Sequence, residues 1–224
     1  MNDGADSQDD PEREGPEKTS GWRGSRDLWL EAAKQALIES GVDAVKVQPL
    51  ANRLQIARTS FYWFFKDRNA LLAALLADWQ AKNTGAFVEA CASYAETIAE
   101  AILNLIVVFQ DETLFESQLD FAVRGWAHQS DAVAAQVHQA DETRLAAICA
   151  LFERFGFAPD EADVRARTVY LTQIGYIAMQ VKESMAVRVE RTPRYVQTFC
   201  GTAPTQSELD RFHARLKVSP EAEL

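Results

Sequence analysis

Five aromatic residues in a row, Phe61-Tyr62-Trp63-Phe64-Phe65, constrain this chain more than any other feature. Successive helical positions point about 100° apart, so a helix cannot turn all five rings into one core. Some of them must face outward. They would do so among cations, with Arg58 before the run and Lys66 and Arg68 after it. Exposed rings beside positive charge suit a surface that meets a phosphate backbone and base edges. The run by itself is equally compatible with an over-aromatic helix end packed beneath a neighbour, so its surroundings have to decide.

Charge is the first of those surroundings. The 224 residues carry a formal net charge of −10, which taken whole argues against a nucleic-acid partner. The distribution reverses that argument. Residues 1–20 hold two cations and seven anions, residues 21–68 hold eight cations and five anions, and residues 69–224 hold 13 cations and 21 anions. A small basic module therefore stands on an acidic body, and DNA responds to the patch within a Debye length of about 8–10 Å. Three segments are expected: 1–20, an acidic disordered tail without aromatic or branched aliphatic residues; 21–68, a DNA-binding head; and 69–224, a helical body.

Periodicity then organises the head. Trp29, Leu30, Ala33, Leu37 and Ile38 recur at helical spacing from Ser25, and Gly41 supplies the positive φ that ends such a helix. A second short helix is expected over 47–54, with Pro49 tolerated in its first turn. After a tight break at Gln55-Ile56 a third helix is expected from about Ala57 to Phe65, and Asp67 is placed to cap a fourth that runs from Arg68 into the late eighties. Two short helices joined by so tight a turn form a helix-turn-helix.

On Leu30-Glu-Ala-Ala, Glu39-Ser-Gly-Val-Asp-Ala-Val45, Ala51-Asn-Arg-Leu and Ser60-Phe-Tyr-Trp-Phe-Phe-Lys-Asp-Arg-Asn-Ala-Leu-Leu72, the chain resembles the DNA-binding domain of TetR-family transcriptional regulators over about residues 26–78. Two positions depart from the family's pattern. Gln55 stands where glycine is usual in the turn, and a left-handed non-glycine residue there costs on the order of 1 kcal/mol. Ala57 stands where a Ser or Thr usually caps the third helix.

The resemblance implies an all-α fold: a three-helix helix-turn-helix head joined by a fourth, lever-like helix to an all-helical ligand-binding and dimerisation body. It places the third helix in the major groove. Arg58, Thr59 and Ser60 then become candidates for base edges, with Arg58 equally suited to a phosphate. Tyr62 would give its hydroxyl to a phosphate and Trp63 would lie against sugar or a thymine methyl. Lys66 and Arg68 would hold phosphates, and Gln48 is a further base-contact candidate. Phe61 and Phe65 belong to the core, and Phe64 has no assigned partner.

Beyond residue 90 the pattern is helical throughout, with helices expected over 93–109, 112–127, 131–155, 160–184, 193–200 and 205–216. Gln118, Phe121, Arg124 and Trp126 on one of them, and Tyr170, Gln173, Tyr176 and Gln180 on another, offer the apolar walls and few polar groups of a small-molecule effector pocket. The second face is also readable as a dimer surface or a solvated one. Three scattered cysteines without a CxxC pair read as reduced thiols of a cytoplasmic protein. His138 and Glu142 share a face without a third ligand, so neither a metal, a cofactor nor catalysis is expected. No apolar run approaches the roughly 18 residues of a membrane span. The expected partners are double-stranded operator DNA, a small-molecule effector and a second copy of the chain. A contrasting reading keeps the helical architecture but makes the head a protein-interaction surface.

Overall fold

The computed structural model describes residues 24–216, and the acidic stretch 1–20 lies outside them. The described residues are helical with no strand: α1 Arg26–Ser40, α2 Val47–Leu54, α3 Arg68–Trp79, α4 Gly85–Ala92, α5 Ile98–Gln110, α6 Ser117–Ala127, α7 Asp131–Arg154, α8 Pro159–Ala178, α9 Met185–Cys200 and α10 Gln206–Leu216. Local chemistry sets several of the ends. Ser25 caps α1 by accepting from Leu28 N, and Asp67 caps α3 by accepting from Ala70 N at 2.8 Å. Gly41 closes α1 at φ 78°, and Pro159 opens α8 at its first position.

Several expectations change. The segment after the turn is a six-residue 3-10 helix, Arg58–Trp63, rather than an α-helix to Phe65. Ala57 offers it no cap, and the Ser60 hydroxyl donates to Ala57 O at 2.8 Å, reinforcing the shorter turn. Pro193 does not start a helix but lies inside α9, which begins eight residues earlier where the Ser184 side chain accepts from Val187 N. The proline leaves Val189 O without its usual helical donor, while α9 packs on α5 and buries Thr192 and Val196. The helix expected over 160–184 stops at Ala178, because Gln180 turns left-handed at φ 50°.

The expected fourth helix is two helices joined by a π-helical turn, Gln80–Thr84. The turn places two buried polar residues, Asn83 and Thr84, against the body. Asn83 exchanges hydrogen bonds with the backbone of Glu116, donating to its O at 3.2 Å and accepting from its N at 3.0 Å.

Two apolar cores result. The first combines α1, α2 and α3 with Leu119, Val123 and Trp126 of α6 and Val133, Val137 and Ala140 of α7. The second lies in α4, α5 and α8–α10 with the other half of α7. The head is thus packed directly onto α6 and α7. Glu116 adds two ion pairs there, to Lys34 of α1 at 3.0 Å and to Lys82 of the π turn at 2.5 Å.

Candidate nucleic-acid interface and effector cavity

The aromatic run divides as its geometry requires. Phe61 is fully buried, edge-on to Trp29 with centroids 5.2 Å apart, and Phe65 stacks on Phe61 at 5.5 Å. Phe64 is half-buried against the head core. Tyr62 and Trp63 remain 51% and 70% exposed, large values for rings beside so well packed a core. Arg58 donates to the Tyr62 hydroxyl at 3.2 Å, which brings a guanidinium and a phenol to one edge of the short helix. Thr59 and Lys66 are exposed near them. Gln48 is exposed on α2 and donates to Asn52 at 2.8 Å.

Two of the DNA candidates sit otherwise than expected. Ser60 is buried, with its hydroxyl committed to Ala57 O, so it does not join the exposed edge. Arg68 is half-buried and donates to Val45 O at 2.5 Å and Val42 O at 2.6 Å. Its charge tethers the start of α3 to the turn between α1 and α2, where Val42 O also accepts from Val45 N at 3.2 Å. Gln55 takes the left-handed conformation at φ 56°, ψ 37°, and Ile56 N still donates to Ala51 O at 3.1 Å.

A sequence comparison bears directly on this head. Residues 30–75 match the model for bacterial regulatory proteins of the tetR family. The match covers the head alone, and the head is similar to the DNA-binding domain of that family. Its helix-turn-helix is α2 with the short helix Arg58–Trp63. Solved structures extend the likeness in fold to the body. AmtR of Mycobacterium smegmatis superposes with a TM-score of 0.61 at 16% identity, over 91% of this chain and 99% of the other. The fatty acid degradation regulator FadR of Bacillus halodurans gives 0.57 at 16% identity, over 82% and 97%. Salmonella enterica GusR gives 0.55 at 16%, over 86% and 95%. At such identities these likenesses concern the fold. No match was found among curated proteins.

Behind the head, five of the expected effector residues converge. Gln118 and Phe121 of α6 meet Gln173, Tyr176 and Gln180 around a cavity of about 380 Å3. Ile38, at the end of α1, closes one side of it, so the head itself forms part of the wall. A smaller, mainly apolar chamber of about 60 Å3 adjoins it between α5, α8 and α9 and shares Phe109, Gln173, Tyr176 and Arg188. Across this inner chamber the hydroxyls of Tyr176 and Tyr195 lie 2.9 Å apart. Arg188, which stands in both walls, was not singled out by the sequence. It lies between the helices expected over 160–184 and 193–200.

The remaining three candidates line neither chamber. Trp126 is buried in the head core. Arg124 and Tyr170 belong to a buried polar layer between the two cores, centred on the fully buried Asp120 and Arg144. Asp120 accepts from Trp79 Nε1 at 2.9 Å, Arg124 Nε at 2.8 Å, Arg144 at 3.1 Å and Asn83 at 3.4 Å. Arg124 also grips Asp141 with both terminal nitrogens, and Tyr170 donates to Asp141 at 2.6 Å. Arg144 donates to Thr84 Oγ1 at 3.1 Å and lies over the Trp79 and Phe115 rings. Burial alone would raise the Asp120 pKa, but the guanidinium groups of Arg144 and Arg124 outweigh it and hold the carboxyl below its ordinary value. Burial pushes the Tyr170 phenol upward, with Asp141 adding to the shift, so it remains a hydrogen-bond donor. The layer joins α3 and the π turn to α6, α7 and α8.

Proposed function

We propose that the protein is a ligand-responsive repressor. As a homodimer it binds a palindromic operator in the cytoplasm, and a small-molecule inducer releases it. The observation that carries the reading is the exposed edge formed by Arg58, Thr59, Tyr62, Trp63 and Lys66, anchored from behind by Phe61 and Phe65. Arg58 can read guanine O6 and N7 or grip a phosphate. Tyr62 and Lys66 supply phosphate contacts, Trp63 packs on sugar or a thymine methyl, and Gln48 reaches an adjacent base edge. Arg68 and Ser60 act behind this surface by fixing its backbone.

One short helix reads too few base pairs for useful affinity, so two half-sites about 34–36 Å apart are required. The exposed apolar side chains Val164 and Leu171 along α8, and Met179 just past its end, support a second copy docking there. Release follows if the inducer prefers a body conformation whose recognition helices miss that spacing. The contact of the cavity with Ile38 and the α3–α6 polar layer support such coupling.

Selection from random DNA at low salt, followed by mobility shift, tests the proposal. Enrichment of an inverted repeat with half-sites one helical turn apart is expected. Failure to enrich any palindrome overturns it in favour of a protein-interaction role for the head.

A further inference from the structure

The cavity has a charge pattern opposite to that of the whole chain. Although the protein carries a net charge of −10, no Asp or Glu among the described residues lines either chamber, whereas Arg188, Arg191 and Lys182 do. Arg191 is neutralised by an ion pair with Glu183, and Lys182 is exposed. Arg188 differs from both. It is half-buried, stands in the wall common to the two chambers, and lies over the Tyr176 ring at 5.6 Å. Among the described residues its guanidinium donates to Val181 O at 3.3 Å and has no carboxylate partner, and its Nε is buried with no hydrogen-bond partner.

A guanidinium held partly out of water without a counter-ion is costly unless an anion completes it. Its planar fork suits a carboxylate, and the single uncompensated charge at the junction suits a monoanion. The inner chamber beside it is walled by Ile106, Phe109, Val169 and Phe199, which suits an apolar body.

We propose that the effector is an amphipathic organic monocarboxylate, with its carboxylate on Arg188 and its apolar portion lying along Phe109 and Tyr176 where the two chambers meet. This rests on the reading of the cavity as the effector site.

Calorimetric titration of the full-length protein, without DNA, with phenylbutyrate, phenylbutanol and phenylbutylammonium tests it. The three probes share one apolar body and differ in head-group charge. Phenylbutyrate is expected to bind about tenfold or more tightly than either of the others, the difference expected of a charge-assisted hydrogen bond. Arg188→Gln should abolish that preference while leaving phenylbutanol binding intact, which also reports that the cavity has folded. Arg188→Lys, which keeps the charge, should retain part of the preference, and Lys182→Gln should retain nearly all of it. Equal or tighter binding of the alcohol or ammonium probe overturns the proposal, as does a preference that survives Arg188→Gln. Absence of phenylbutyrate binding at millimolar concentration overturns it too. Because no DNA is present, these outcomes are independent of the operator selection, where failure would instead count against the repressor reading.

Discussion

Replacing Asp120 with Asn changes a charge at the junction of head and body while preserving volume. In the native protein its carboxylate receives hydrogen bonds from Trp79, Asn83, Arg124 and Arg144, and both Asp120 and Arg144 are fully excluded from solvent. The Asn variant turns an amide NH2 toward these donors and strands the charge of Arg144, whose other partners, Thr84 and Tyr170, are neutral. Breaking a buried pair in this way costs about 3–5 kcal/mol. That is a large part of the ~5–15 kcal/mol available to a typical domain, and it lowers Tm by roughly 6–20 °C in a protein of this size. Urea denaturation followed by circular dichroism gives the number, provided protein concentration is held fixed, since dimerisation would otherwise shift the midpoint. A loss below about 1 kcal/mol refutes the assignment of this layer as a strongly coupled pair. The double variant Asp120→Leu with Arg144→Met removes the stranded charge and should recover part of the loss. If it recovers nothing, the penalty has another origin. The pH dependence follows from the sign of the shift. The Asp120 pKa is depressed on folding, so its contribution is complete above the unfolded carboxylate value of about 3.9 and is lost as pH falls through the lower folded value. The stability gap between the native protein and Asp120→Asn should stay flat near neutrality and narrow only in acid.

Gln55→Gly relieves a left-handed residue at φ 56°. Strain of about 1–2 kcal/mol is removed and part of it is returned as unfolded-chain entropy, so a thermal melt should show a net gain of about 0.5–1 kcal/mol. Arg58→Ala and Lys66→Ala should differ on the selected operator. The first should relax specificity at one position per half-site at a cost of about 1–3 kcal/mol, and the second should weaken all sequences alike and flatten the salt slope. Identical behaviour in mobility shifts would show that the two roles are wrongly divided. Burial pushes the Cys91 thiol up to about 12, so with a thiol-reactive dye the half-exposed Cys149 should react first and Cys91 only on unfolding.

Much of the head was legible because its determinants are local. The end of α1 at Gly41, the cap at Asp67, the tight turn at Gln55 and the inward pair Phe61 and Phe65 each depend on residues a few positions apart. Helical periodicity likewise announced an all-α body, although it could not foresee that α9 continues through Pro193 under tertiary packing. Five cavity residues were recognisable as polar and aromatic groups on two helical faces, but only folding separates them from Arg124, Trp126 and Tyr170, which share the same helices and face elsewhere.

The amino-acid sequence therefore determined the helix-turn-helix pattern, while angular spacing required only that some rings of the aromatic run face outward, and the resemblance indicated that these are Tyr62 and Trp63. Tertiary structure alone decided what happens to Arg68 and Arg188, and what Asp120 and Arg144 do at all. A charged side chain takes its role from its partners, and here those lie up to 26 positions away for Arg68 and 24 for the Asp120–Arg144 pair, beyond any local pattern.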